Sequence, residues 1–143
     1  MLVSQVLKDK GDLVFTASPD DTVAAIAAML AERRVGAIVV VNPDRDVVGI
    51  VSERDIVRIV ADTGAKGLAT PVSACMTREV IFAEPAETVD HLLGRMTDRR
   101  IRHLPVCADR RLVGIVSIGD LVKTKIAETV AEAEGLRAYI TAA

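Results

Sequence analysis

Apolar residues recur along this chain in two rhythms, one helical and one continuous. Val3, Val6 and Leu7 stand at i, i+3 and i+4, which predicts a short amphipathic helix over residues 2–8. Gly11 and Asp12 break it, and residues 13–16 read as a brief strand. Ser18, Pro19, Asp20 and Asp21 then carry the marks of a helix start, with Ser18 as N-cap and Pro19 in the first helical position. Val23, Ile26, Ala27 and Leu30 form the buried stripe of that helix, and Arg33 and Arg34 close it where cations suit a helix C-terminus. Residues 36–41 are a continuous apolar strand covered on both faces. Asn42, Pro43 and Asp44 turn the chain, residues 47–51 pair back, and a helix runs from Ser52 through Ala61.

The same order then begins again. Residues 62–69, with Gly64 and Gly67, read as a linker. Val72, Cys75 and Met76 reproduce the spacing of Val3, Val6 and Leu7. Residues 80–83 are the expected strand, and Glu84, Pro85, Ala86 and Glu87 the expected helix start. Val89, Leu92, Leu93 and Met96 form the stripe, closed by Arg99 and Arg100. A strand over 104–107, a turn at Asp109 and Arg110, a strand over 112–116 and a helix from Ser117 complete the second half. The repetition is sharpest where DVVGIVSERDIV (46–57) returns as RLVGIVSIGDLV (111–122), with seven of twelve positions identical and Gly49 and Gly114 65 residues apart. Residues 124–143 have no counterpart; they read as a helical C-terminal addition interrupted at Gly135.

Composition narrows what the repeat can be. Half of the 143 residues are apolar but only 2% are aromatic, so Ala, Val, Ile and Leu must fill the core. A net charge of −2 gives no global attraction to nucleic acid or anionic membrane, and stacking residues are scarce. No apolar run approaches the roughly 20 residues of a membrane span, and the N-terminus lacks the basic region and cleavage site of a secretory signal. The two cysteines, Cys75 and Cys107, fit no metal spacing; both are expected to be structural, in a reducing cytosol, with Cys107 in the core.

Catalytic signatures are missing: Gly-x-Ser-x-Gly, His-Glu-x-x-His, the phosphate-binding Gly-x-x-x-x-Gly-Lys and Gly-x-Gly-x-x-Gly do not occur, so no enzyme is expected. His91 is expected on an exposed helix face and His103 at the mouth of a strand. Ser52 with Asp55, and Ser117 with Asp120, support two compatible readings. Ser-x-x-Asp before an apolar helix caps it, the hydroxyl taking an orphan amide and the acid favouring the N-terminus, for about 1 kcal/mol. A strand running straight into a helix N-terminus also gathers amides, a hydroxyl and a dipole at one place, which suits an anion. Arg102 and His103, beyond the end of the preceding helix, are a candidate phosphate receptor beside these turns, and Arg54 sits inside the first of them.

The doubled Gly-Ile-Val-Ser-x-x-Asp, Met76-Thr77 and Arg102-His103-Leu104-Pro105-Val106 resemble a tandem pair of cystathionine β-synthase (CBS) domains, a Bateman module, over nearly the whole chain to about Ile126. The resemblance extends to small stand-alone bacterial CBS-pair proteins. It implies an α+β fold of two pseudo-symmetric β-α-β-β-α repeats with a C-terminal helical extension. On that reading, 1–62 is the first repeat with the N-terminal helix, 63–71 the linker, 72–126 the second repeat and 127–143 the extension. It further implies a cytoplasmic ligand sensor in signal transduction or energy sensing, with AMP, ADP, ATP, NAD(H) or S-adenosylmethionine held between the repeats. No catalytic cofactor, nucleic acid or membrane is implied; a homodimer and a downstream protein partner are. The resemblance places Asp120 and Ser117 with Phe15, Thr16, Val35, Gly36 and Ala37 in one cleft. It places Asp55, Ser52 and Arg54 with Ile81, Phe82, Ile101 and Arg102 in the other. Gly36 and Ala37 stand where the second half has Arg102 and His103, and Gly119 stands where the first has Arg54, so the two sites should differ in affinity. The rival reading is a ligand-free dimerisation or scaffold module.

Overall fold

The computed structural model describes residues 1–11 and 14–142, in two compact units. One unit is Leu13–Ile81; the other combines Met1–Asp12 with Phe82–Ala143.

The continuous unit is built on a three-stranded sheet, β1 (Thr16–Ala17), β2 (Ala37–Val41) and β3 (Val47–Ser52). β1 lies parallel to β2, with Thr16 opposite Val39 and Ala17 opposite Val40, and β2 lies antiparallel to β3. Ala37, Ile38, Val39 and Val40 are all buried, as the unbroken apolar run requires of a strand covered on both faces. Helix α2 (Val23–Arg33) buries Val23, Ile26 and Leu30, and α3 (Glu53–Thr63) follows β3 directly. Ala17, Ile26, Leu30, Ile38, Val40, Val51, Val72 and Met76 form one buried cluster.

The second unit repeats this order with two differences. Strands β4 (His103–Ala108) and β5 (Arg111–Ser117) pair antiparallel, and α4 (Val89–Arg99) buries Val89, Leu92 and Met96. The edge strand expected over 80–83 is reduced to a single parallel rung, Ala83 against Val106. That rung matches Ala17 against Val40, and both sheets bulge at the same place, Val40/Val41 and Val106/Cys107. The second difference is α5 (Ile118–Ala142), which runs unbroken through Gly135. A helical glycine costs only about 1 kcal/mol relative to Ala, so the expected interruption is corrected.

Several expected boundaries move for identifiable reasons. The N-terminal helix α1 runs Val3–Lys10, longer than expected. Residue 13, the expected start of the first strand, lies outside the described residues; the observed strand is Thr16–Ala17. The helix caps are Thr22 and Thr88, whose hydroxyls accept from the amides of Ala25 and His91 at 3.1 Å each, not Ser18 and the Glu84 segment. The Ser18 amide instead donates to Asp21 at 2.9 Å, and the Glu84 amide to Glu87 at 2.7 Å, tying off a turn before each helix. Helices α2 and α4 end alike, on Arg34 and Arg100 in the left-handed region. The expected linker is ordered: α3 continues to Thr63 and Gly64–Ala69 forms a 3-10 helix. Val72–Ala74 is a single 3-10 turn, not a copy of α1.

The assignment of the N-terminal helix to the first half is corrected as well. Helix α1 packs with the second half, the Val3 amide donating to the Glu87 carbonyl at 2.9 Å and Leu7 lying over Gly114. In the same way Met76, from the start of the second half, lies over Gly49 in the first. Each leading segment therefore completes the other half's sheet, because each sheet presents a glycine that leaves room for a large apolar side chain.

Candidate functional site

Each unit brings its Ser and Asp together at a strand-to-helix turn. In the continuous unit the Ser52 amide donates to Asp55 Oδ2 at 2.9 Å, the Ser52 hydroxyl donates to the same oxygen at 3.2 Å, and the Asp55 amide returns to Ser52 Oγ at 3.4 Å. In the second unit the Ser117 amide donates to Asp120 Oδ2 at 2.8 Å and the Asp120 amide to Ser117 Oγ at 3.1 Å. Both pairs are reciprocal capping boxes, as the spacing predicts. Every bond that the two carboxylates accept here ends on Oδ2; among the described residues none ends on Oδ1 of either acid.

Strand register sets what lies beside each turn. Ala37 is the partner of Ser52, and the Glu53 amide donates to the Gly36 carbonyl at 3.0 Å. His103 is the partner of Ser117, and the Ile118 amide donates to the Arg102 carbonyl at 2.8 Å. Gly36, Ala37, Ser52, Arg54 and Asp55 are thus gathered in one unit, and Arg102, His103, Ser117, Gly119 and Asp120 in the other. A Cβ on Gly119 would meet only Ser117 Oγ, at 3.6 Å, so space does not demand glycine there. The other expected residues stand further from the turns in sequence and have their own surroundings. Val35 and Ile101 each donate an amide to the preceding helix end, at 3.2 and 3.0 Å. The Phe82 carbonyl accepts from Arg95 at 2.9 Å, and Ile81 is half-buried. Phe15 and Thr16 line a groove of about 410 Å³ along α2 with Ala25, Met29, Glu32 and Arg33, and the Arg33 guanidinium stands 4.8 Å over the Phe15 ring.

Lys10 is the residue that sequence reasoning missed. From the last turn of α1 its ammonium donates to Asp120 Oδ2 at 2.6 Å and to the Ile115 carbonyl at 2.9 Å. Burial pushes the Asp120 carboxyl up, but the Lys10 ammonium and the Ser117 amide and hydroxyl outweigh it and hold it below the usual value. A carboxyl depressed in this way adds stability that is fully present above its unfolded value of about 3.9 and is lost as pH falls through the folded one. Lys10→Met should therefore move the Asp120 titration midpoint upward, so that the acid loss begins at higher pH. Carboxyl-detected NMR titration reads this directly, and an unmoved midpoint would mean the ion pair does not form in solution. Among the described residues Asp55 has no such cation, and the position matching Lys10 in the repeat is Glu79.

The remaining candidates have structural surroundings. His91 is exposed, as expected, and lies 3.4 Å from Glu87. Cys107 is half-buried, not fully buried, and burial pushes its thiol up; burial and then the nearby Asp55 charge push up that of Cys75. Neither thiol has the electropositive setting that activates a nucleophile. Among the described residues no cluster of His, Cys, Asp and Glu could hold a metal, and no helix is long and apolar enough to cross a membrane.

The profile of the CBS domain matches residues 11–62 and again 72–126. This chain belongs to the CBS-domain family. The paired repeat resembles a CBS-domain containing protein from Agrobacterium tumefaciens, whose crystal structure is 42% identical with a TM-score of 0.85, covering 87% of this chain and 92% of that one. A CBS domain pair in complex with 5-methylthioadenosine and S-adenosyl-L-methionine is 28% identical with a TM-score of 0.80, covering 90% and 98%. A CBS domain protein from Pyrobaculum aerophilum complexed with AMP is 29% identical with a TM-score of 0.75, covering 84% and 89%. Pairs of this family are generally regulatory binding modules, and the mixed α/β architecture is shared.

Proposed function

We propose that this CBS pair is a non-catalytic sensor that binds adenosine-containing ligands at its two Ser–Asp turns and signals as a homodimer to a protein partner in the cytoplasm. One observation carries the reading. Each capping box uses a single carboxylate oxygen and leaves Oδ1 of Asp55 and of Asp120 as an acceptor for a ribose hydroxyl beside a helix N-terminus. A capping role alone needs no second oxygen. The ligands in the related structures, AMP in one and 5-methylthioadenosine with S-adenosyl-L-methionine in another, share the adenosine that such a turn would recognise.

The two turns differ in charge, which supports unequal ligands. Asp120 is accompanied by Lys10, and Asp55 by Glu53 and Arg54. The first combination favours a phosphorylated adenosine and the second a ligand of lower negative charge. ATP, AMP or NAD(H) should raise the melting temperature more than guanine nucleotides do. At a hundred times its dissociation constant a bound ligand adds about 2.7 kcal/mol. No shift with any adenosine compound, and none copurifying in native mass spectrometry, would leave the scaffold reading in its place.

A further inference from the structure

Most of α5 lies beyond the second matched repeat, and every residue from 129 to 142 is exposed. Along it Val122, Ile126, Thr129, Ala133, Leu136 and Ile140 follow at alternating steps of four and three residues. That is the 3.5-residue period of a coiled-coil seam. Its large members are open to solvent, Ile126 at 59%, Leu136 at 62% and Ile140 at 67%. The face that carries buried Leu121 is a different one. We propose that this seam is closed by α5 of a second copy of this chain, in a parallel two-stranded coiled coil.

The flanking charges choose both the partner and its direction. In a parallel pair, the residue just before a core position on one helix meets the residue five further along on the other. Here that sets Glu132 against Arg137, and two-fold symmetry makes the contact twice. It also lays the Lys125 stem against Val130, while the Lys125 ammonium reaches Asp90 of its own chain at 2.9 Å. An antiparallel pair with its apolar layers matched would set Glu132 against its own copy and Lys123 against Arg137, like against like in both cases. The surface is therefore complementary to itself in one direction only. This names the interface of the homodimer proposed above and is independent of what the Ser–Asp turns bind.

Sedimentation equilibrium of the full chain without nucleotide tests it. The unaltered protein should be a dimer at micromolar concentration. Arg137→Glu turns two attractive contacts into repulsive ones and should weaken the dimer about tenfold. Glu132→Arg combined with Arg137→Glu exchanges the charges and should restore it to within about threefold of the starting value. In an antiparallel pair Arg137→Glu would instead face Lys123 and tighten association. A monomeric protein, a dimer unmoved or tightened by Arg137→Glu, or a double variant that stays weak would each overturn the proposal.

Discussion

Asp120→Asn should weaken binding of a phosphorylated adenosine ligand by about ten- to a hundredfold, since charge-assisted hydrogen bonds contribute roughly 1.5–3 kcal/mol each and 1.4 kcal/mol is a factor of ten. The amide oxygen of Asn can still accept from the Ser117 amide, and the backbone amide of residue 120 still donates to Ser117 Oγ, so the turn keeps both halves of its reciprocal cap. What is lost within the fold is the charge at the helix N-terminus, about 0.3–1 kcal/mol. The Lys10 ion pair, with side chains 35% and 27% exposed, adds a further loss of about 0.2–1 kcal/mol. Asp55→Asn makes the parallel change at the turn without a lysine. Isothermal calorimetry on both variants should show different binding steps affected. Intact binding in both, beside a lowered melting temperature, would reduce the two acids to helix caps.

Gly49→Val should destabilise the protein by about 2–3 kcal/mol, at the upper end of what overpacking a core costs. A Cβ at Gly49 would stand 2.6 Å from Met76 Sδ, 2.9 Å from Met76 Cγ and 3.1 Å from the Thr77 carbonyl oxygen. The thioether can rotate away. The carbonyl cannot, because Thr77 and Ile50 exchange hydrogen bonds of 2.8 and 3.0 Å between their backbones. Met76→Ala added to Gly49→Val should therefore recover only part of the loss. Urea denaturation measures both, and a Gly49→Val protein as stable as its parent would show that the segment from Val72 to Thr77 is not packed on β3.

What could be read without coordinates was what neighbours along the chain decide. The doubled Gly-Ile-Val-Ser-x-x-Asp announced strand, cap and helix together, and both capping boxes form from residues three apart. The caps at Thr22 and Thr88 were within reach too, because Asp21-Thr22-Val23 and Glu87-Thr88-Val89 occupy matching places in the repeat. Ser18 and Pro19 imitate a helix start, but the Ser18 amide is tied to Asp21 in a turn that precedes it. Lys10 was beyond local reasoning. A lysine in the last turn of a helix is ordinary, and its partner Asp120 is 110 residues away. The same holds for α1, whose apolar stripe shows that it packs but not on which sheet.

That exchange of leading segments has a consequence for how the protein is made. The unit Leu13–Ile81 is one stretch of chain, so its core can close as soon as Ile81 has emerged from the ribosome. Helix α1 emerges earlier still, yet the carbonyl of Glu87 that its Val3 amide meets, and the Gly114 that its Leu7 covers, come later. Of the five α-helices, α1 thus leaves the ribosome ahead of the other four and is among the last to be buried. Val3, Val6 and Leu7 stay uncovered until those partners have been made, as apolar surface that the finished protein no longer offers.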